Sequence, residues 1–274
     1  MTYYALVVVP AHQEEETIVD CIQSIDVASH AAQALAKDMG YCLEVHLVVV
    51  ADSCSDETVL RARTCSTGSV KTHVVEVRCR NVGAVRTKGI LTGLQLIGAE
   101  NSGILDTNRV WVLNTDADSK VSQQWMIAHL RWVGLAEIVL GTVVPEWDSH
   151  HSPQLVAEYD RLYNHRNGHR HIHGANISFP ANVFSLANGF PARKESEDVE
   201  MVRKLTARGA RTVSISDGPV YTSTRASDRT PGGFSGFIAN LSLALPITSH
   251  AEKPTKHCPS VFTSTDSEDE VVEF

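Results

Sequence analysis

Short unbroken apolar runs alternate with amphipathic stretches through the first half of the chain. Residues 5–9 read ALVVV, and after Pro10 and a polar segment the positions from 17 to 25 carry apolar side chains at helical spacing. The grammar returns in LEVHLVVVA before DSCSDETVLRAR, in VKTHVVEVR before NVGAVRTKGILTGLQLIGA, and in RVWVLNTDAD before QQWMIAHLRWV. Strand followed by helix, repeated in this way, predicts an α/β fold built on a parallel sheet with helices on both faces. Strands covered on both faces carry apolar runs without alternation, as these do. Such sheets bind ligands at the carboxyl ends of their strands, which directs attention to residues 10–14, 52–56, 80–86 and 114–118.

Beyond residue 137 the pattern loosens. IVLGTVV is a further strand, residues 145–170 are polar, rich in histidine and helical in their middle, and a strand or loop around HIHGANISFP leads to the helix-like ANVFSLANGF. KESEDVEMVRKLTARG predicts a helix ending at Gly209, with a late strand over 212–216. This half is α+β and less regular. From Ser249 the chain turns polar, with Pro254, Pro259 and an acidic end. The expected organisation is one domain in two halves, 1–120 and 121–248, followed by a disordered acidic tail over 249–274.

Composition sharpens this picture. The chain has 274 residues, 43% hydrophobic and 20% charged, enough to bury roughly three quarters of the unfolded surface. Of its net charge of −8, five charges come from the last nine residues, which leaves a body near −3. With a pI near 5.9 there is no broad positive field for nucleic acid or anionic membrane, so phosphate binding has to be local. Six cysteines form no CxxC pair and no zinc-like spacing with histidine, as expected of reduced thiols in a cytoplasm. Met1 leads straight into an apolar strand with no basic segment or cleavage site, so secretion is not expected. The apolar stretches at 43–51 and 237–247 are about half the ~20 residues of a bilayer crossing.

Common nucleotide and metalloprotease fingerprints are absent: no GxGxxG follows a strand, and neither GxxxxGK[ST] nor HExxH occurs. Asp116-Ala117-Asp118 at the end of VWVLN remains. Two carboxylates at that spacing reach one hard divalent cation, which bridges to diphosphate oxygens; the same string also builds an Asx turn. Its context decides between them. PAHQEE after the first strand, ADSCSD after the second, RNVGAVRTKG after the third and NTDADS after the fourth occur in that order, and this ordered set resembles the family 2 glycosyltransferases of the GT-A fold. The resemblance runs through EDVEMVRKL to about Arg229 and covers most of the chain.

The resemblance implies a GT-A-like, mostly parallel sheet and an inverting, non-processive transferase (no QxxRW string is present) dependent on Mn²⁺ or Mg²⁺. Its donor would be a nucleotide-diphosphate sugar, with a UDP-sugar favoured, and its acceptor a small or lipid-linked molecule. Pro10, Ala11, His12 and Glu14 would line the nucleoside, and Asp52 would accept from the base, alone, because Ala51 replaces the first acid of the usual pair. Gly83, Arg86 and Lys88, at the start of a helix where amides favour anionic oxygen, point to the diphosphate. Asp118 is the expected metal ligand, with Asp116 at metal or ribose.

In SEDVE the resemblance places the general base in the ED pair: Asp198, with Glu197 holding acceptor or base in position. Acids there also suit a helix N-terminus behind Ser196. His173, Gly174 and Asn176 correspond to an acceptor-side loop, although histidines at 169, 171 and 173 alternate as cation ligands on a strand would. Arg225 and Arg229 belong to a basic segment able to close over the diphosphate, with Gly232 and Gly233 as hinges. A cytoplasmic homodimer, without nucleic acid or a membrane-spanning segment, completes the expectations. A nucleotidyltransferase and a non-catalytic sugar-nucleotide-binding module are the alternatives.

Overall fold

Alternate residues of the apolar runs pack against opposite layers, which is why the runs show no polar face. The structure, a computed structural model, describes residues 1–193, 196–225 and 234–244. In β1 (Thr2–Ala11), Ala5, Val7 and Val9 join one core while Tyr4, Leu6 and Val8 join the other. The first core is closed by α1 (Ile18–Asp38), whose Ile18, Ile22 and Ile25 are fully buried. Its alanine-rich continuation carries the helix well past Ile25.

β2 (Cys42–Asp52), the short α2 (Thr58–Thr64) and β3 (Lys71–Val77) follow. α3 (Val82–Glu100) covers the second core with Val85, Ile90 and Ile97. Asn81 caps it, accepting from Ala84 N at 2.9 Å, as the asparagine before a helical run predicts. β4 (Val110–Asn114) completes a parallel block in the order β3-β2-β1-β4.

The remaining elements extend the same sheet. β5 (Ser119–Val121) and α4 (Trp125–Leu130) lead to β6 (Ile138–Glu146), α5 (Pro153–Leu162), β7 (Ile177–Pro180) and α6 (Ala181–Ala187). α7 (Glu197–Thr206), β8 (Thr212–Ser223) and α8 (Phe234–Ala244) complete the described chain. The eight strands run β3-β2-β1-β4-β7-β6-β8-β5, with β7 antiparallel to both β4 and β6, β6 and β8 parallel, and β5 antiparallel to β8. The order reverses at β1, between β2 and β4, the kind of switch point at which such sheets take ligands at the carboxyl ends of their strands.

β5 and α8 were not expected. β5 is only three residues long and owes its existence to pairing with β8; α8 docks Ile238 and Leu241 into the first core. No described helix is long and apolar enough to cross a membrane. The expected disordered tail at 249–274 lies outside the described residues, as do Glu195, Arg229, Gly232 and Gly233. The five described cysteines are free.

Candidate active site

The loops after β1 and β2 are laced to each other. Gln13 and Ser53 both take positive φ, and the Gln13 Oε1 accepts from Ser55 N at 2.7 Å while Glu14 N donates to Thr58 Oγ1 at 2.8 Å. This fixes the PAHQEE and ADSCSD turns side by side. Pro10 and Ala11 close β1, His12 meets the Asp52 carbonyl through Nδ1, and the buried Asp52 carboxylate accepts from Cys79 N at 2.8 Å and Ser53 Oγ at 3.1 Å. Only Asp52 Oδ1 is used in these bonds, so its second oxygen is available to a ligand donor.

After β4 the chain turns sharply. Thr115 N donates to Val8 O at 3.3 Å, Ser119 N to Asp116 O at 3.1 Å and Ser223 N to Asp118 O at 3.3 Å, so backbone bonds to β1 and β8 hold the DAD turn. No backbone N–H donates to either carboxylate among the described hydrogen bonds, and the side chains are therefore not consumed as Asx-turn acceptors. Burial, then the charges of Asp116 and Glu14, pushes Asp118 up to about 7 against the opposing pull of Arg225. A carboxyl group so crowded by acids is relieved by a cation, and Asp118 fits as the ligand of a divalent metal. Arg225 already answers Glu14, with Nη2 2.6 Å from Glu14 Oε2.

Asp116, whose charge also acts on Asp118, is tied to Arg86. Its Oδ1 lies 2.6 Å from Arg86 Nη2, while Arg86 Nε lies 3.2 Å from Glu197 Oε1. Burial works against the charge of Arg86, but Asp116, Glu197 and Asp198 outweigh it and leave its pKa raised. The guanidinium lies over the Phe190 ring at 5.9 Å, and its Nη1 is buried without a hydrogen-bond partner among the described residues. Arg86 was expected at the diphosphate; its described partners are the two acid groups of the site.

Glu197 and Asp198 open α7 and are both buried. Ser196 does not cap the helix: it sits at φ 57° and its side chain makes no cap bond. Burial, then the adjacent Glu197, raises the pKa of Asp198, opposed by hydrogen bonds from Val199 N at 2.8 Å and from the Gly174 backbone and by the Arg86 charge. A Cβ at Gly174 would lie 2.7 Å from Arg86 Nη2 and 3.3 Å from Asp198 Oδ2, so glycine leaves this corner to the guanidinium and the carboxylate.

Three expected ligand residues are placed elsewhere. Gly83 faces the loop before α7, where a Cβ would collide with the Pro191 carbonyl, so its role is to let α3 approach that loop. Lys88, two residues beyond Arg86, lies exposed on another face of α3, beside an apolar pocket lined by Val77, Leu91 and Phe190. Asn176 is wholly buried: its Oδ1 accepts from Trp125 Nε1 and His129 Nε2, each at 2.8 Å, and its Nδ2 donates to Thr142 O at 2.7 Å and Gly218 O at 3.3 Å. That saturates the amide and leaves nothing for an acceptor.

His173 is buried beside Gly174, with Nε2 2.8 Å from Tyr163 Oη, and burial followed by the neighbouring His171 and His169 lowers its pKa to about 3. It is neutral at neutral pH. Tyr163, on which His171 and His173 stack, escaped the sequence reading because a tyrosine after a helix carries no local signal.

No family model and no curated protein matches the chain. Among solved structures it is similar to the S. aureus TarS fragment in complex with UDP-GlcNAc, at 17% identity and TM-score 0.53 over 88% of this chain and 67% of that one. It is also similar to a mannosyltransferase from Pyrobaculum calidifontis in complex with GDP-Man and Mn²⁺, at 18% identity and TM-score 0.57 over 82% and 58%. GalNAc-T7 with UDP, GalNAc and Mn²⁺ matches at 13% identity and TM-score 0.54 over 84% and 45%. The chain thus spans about two thirds or less of the length of these structures. It has a GT-A-like fold.

Proposed function

We propose that the protein is a metal-dependent, inverting, non-processive glycosyltransferase that moves a sugar from a nucleotide-diphosphate donor to an acceptor hydroxyl. The observation that carries this reading is the buried Asp198 carboxyl group, held with raised pKa next to the guanidinium that also grips the DxD turn. A base poised near neutrality is what removal of a hydroxyl proton calls for. The likeness to structures holding UDP-GlcNAc, or GDP-Man with Mn²⁺, supports the donor class and the metal.

In this reading His12, Glu14 and Asp52 hold the nucleoside against Pro10 and Ala11, Asp118 with Asp116 holds Mn²⁺ or Mg²⁺, and Arg225 serves the diphosphate. Such a cation, when bound, neutralises charge building on the leaving diphosphate. The acceptor enters past His173 and Gly174. Its oxygen attacks the anomeric carbon as the bond from that carbon to the diphosphate oxygen breaks, and Asp198 takes the hydroxyl proton. Arg86 and Glu197 are positioning residues that keep Asp198 and Asp116 in register.

Incubation with UDP-, GDP- and dTDP-sugars, Mn²⁺ and a panel of sugar and lipid-linked acceptors, followed by nucleoside-diphosphate release, tests this. Metal-dependent release from one donor class is expected. Tight donor binding without turnover on any acceptor would favour a binding module.

A further inference from the structure

A second group of charged side chains lies at the opposite ends of the strands, away from the acids of the proposed active site. Glu44 and His46 belong to the first half of β2, Lys71 begins β3 in register with His46, and Glu100 ends α3. One ligand atom each from Glu44, His46 and Glu100 falls within 4.8 Å of the others. The Lys71 ammonium bridges the two carboxylates, 2.8 Å from Glu44 and 2.5 Å from Glu100.

The imidazole is what an ion-pair network does not account for. The His46 side chain is 0% exposed, yet neither ring nitrogen has a hydrogen-bond partner among the described residues. Its Nε2 points to Glu100 from 3.9 Å, and its other side is covered by the parallel ring of His73 at 5.7 Å. Buried polar groups are ordinarily paired, and an unpaired ring nitrogen within 4.8 Å of two carboxylate oxygens is satisfied by a cation that all three share. Lys71 satisfies the carboxylates and leaves the imidazole unanswered. It is 47% exposed on a flexible stem and can swing to solvent without disturbing the core.

We propose that Glu44, His46 and Glu100 form a binding site for a zinc-class divalent ion, which enters as the Lys71 ammonium withdraws. One imidazole and two carboxylates, with water in a fourth position, suit Zn²⁺ or Co²⁺ better than Ca²⁺ or Mg²⁺, which favour all-oxygen shells. The bound ion clamps the end of α3 to β2, a structural role independent of the proposed transferase chemistry.

The test uses full-length, chelator-stripped protein carrying Asp118→Ala, so that the DxD turn does not contribute, titrated with Co²⁺ and then Zn²⁺. One equivalent of Co²⁺ should bind with the visible absorption of four-coordinate cobalt, and Zn²⁺ but not a large excess of Mg²⁺ should displace it. Adding Glu100→Gln, an exposed change at a helix end, should weaken binding at least about tenfold. Adding Lys71→Met should tighten it, because the competing ammonium is gone. The proposal is overturned if no equivalent binds, if Glu100→Gln leaves the absorption and affinity unchanged, or if Lys71→Met lowers thermal stability without strengthening metal binding.

Discussion

Arg86 and Glu197 are 111 residues apart in sequence, yet their side chains meet at 3.2 Å inside the protein. The same guanidinium reaches Asp116, so one buried cation ties the turn after β4 to the start of α7. The two acid groups of the proposed reaction, one at the donor and one at the acceptor, are therefore spaced by a single side chain.

Arg86→Met should destabilise the protein by about 3–5 kcal/mol, since it leaves the buried Glu197 carboxylate without its cation and the half-buried Asp116 without its ion pair. Urea unfolding of wild type and variant measures this. A loss under 1 kcal/mol would mean that the ion pairs are dispensable.

Very little of this linkage was legible in the sequence. RNVGAVRTKG marks Arg86 as special, but a helical periodicity cannot say that its side chain turns inward to acids from β4 and α7 while Lys88 turns out. The parallel block was readable because its doubly covered strands leave apolar runs such as ALVVV. The insertion of β7 antiparallel between β4 and β6, and the pairing of β5 on β8, are long-range choices with no local pattern. HIHGANISFP shows the same limit: Asn176 looks like a loop ligand in sequence and proves to be a saturated core amide.

Asn176→Ala should cost at least about 2 kcal/mol of stability, because Trp125 Nε1 and the Thr142 carbonyl lose their buried partner. Acceptor KM, compared at a temperature where the variant is folded, should not change. A selective rise in acceptor KM at unchanged stability would return Asn176 to the acceptor pocket.

Metal-free stability should carry a pH signature. Asp118 is pushed up to about 7 and Asp198 is raised in the same direction, whereas both titrate near 3.8 when unfolded. Folding favours their protonated forms, so their contribution is complete below about pH 4 and is lost as pH rises through about 7. In EDTA, the melting temperature of an Asp118→Asn, Asp198→Asn double variant should gain on wild type between pH 5 and pH 8. A difference that stays constant across that range would contradict the raised values.

Asp118→Ala should weaken Mn²⁺-supported donor binding, because it removes the carboxylate assigned to the cation. Calorimetry with and without Mn²⁺ is the measurement: the variant should bind donor equally in both conditions, and wild type more tightly with metal. Metal-stimulated binding that survives the substitution would place the cation elsewhere.

Asp198→Asn keeps size and shape while removing the basic group. Sugar transfer should fall by about 10² to 10⁴, the usual contribution of a general base, while donor affinity stays within about threefold. Transfer to the acceptor at the wild-type rate would contradict the assignment of Asp198 as the base.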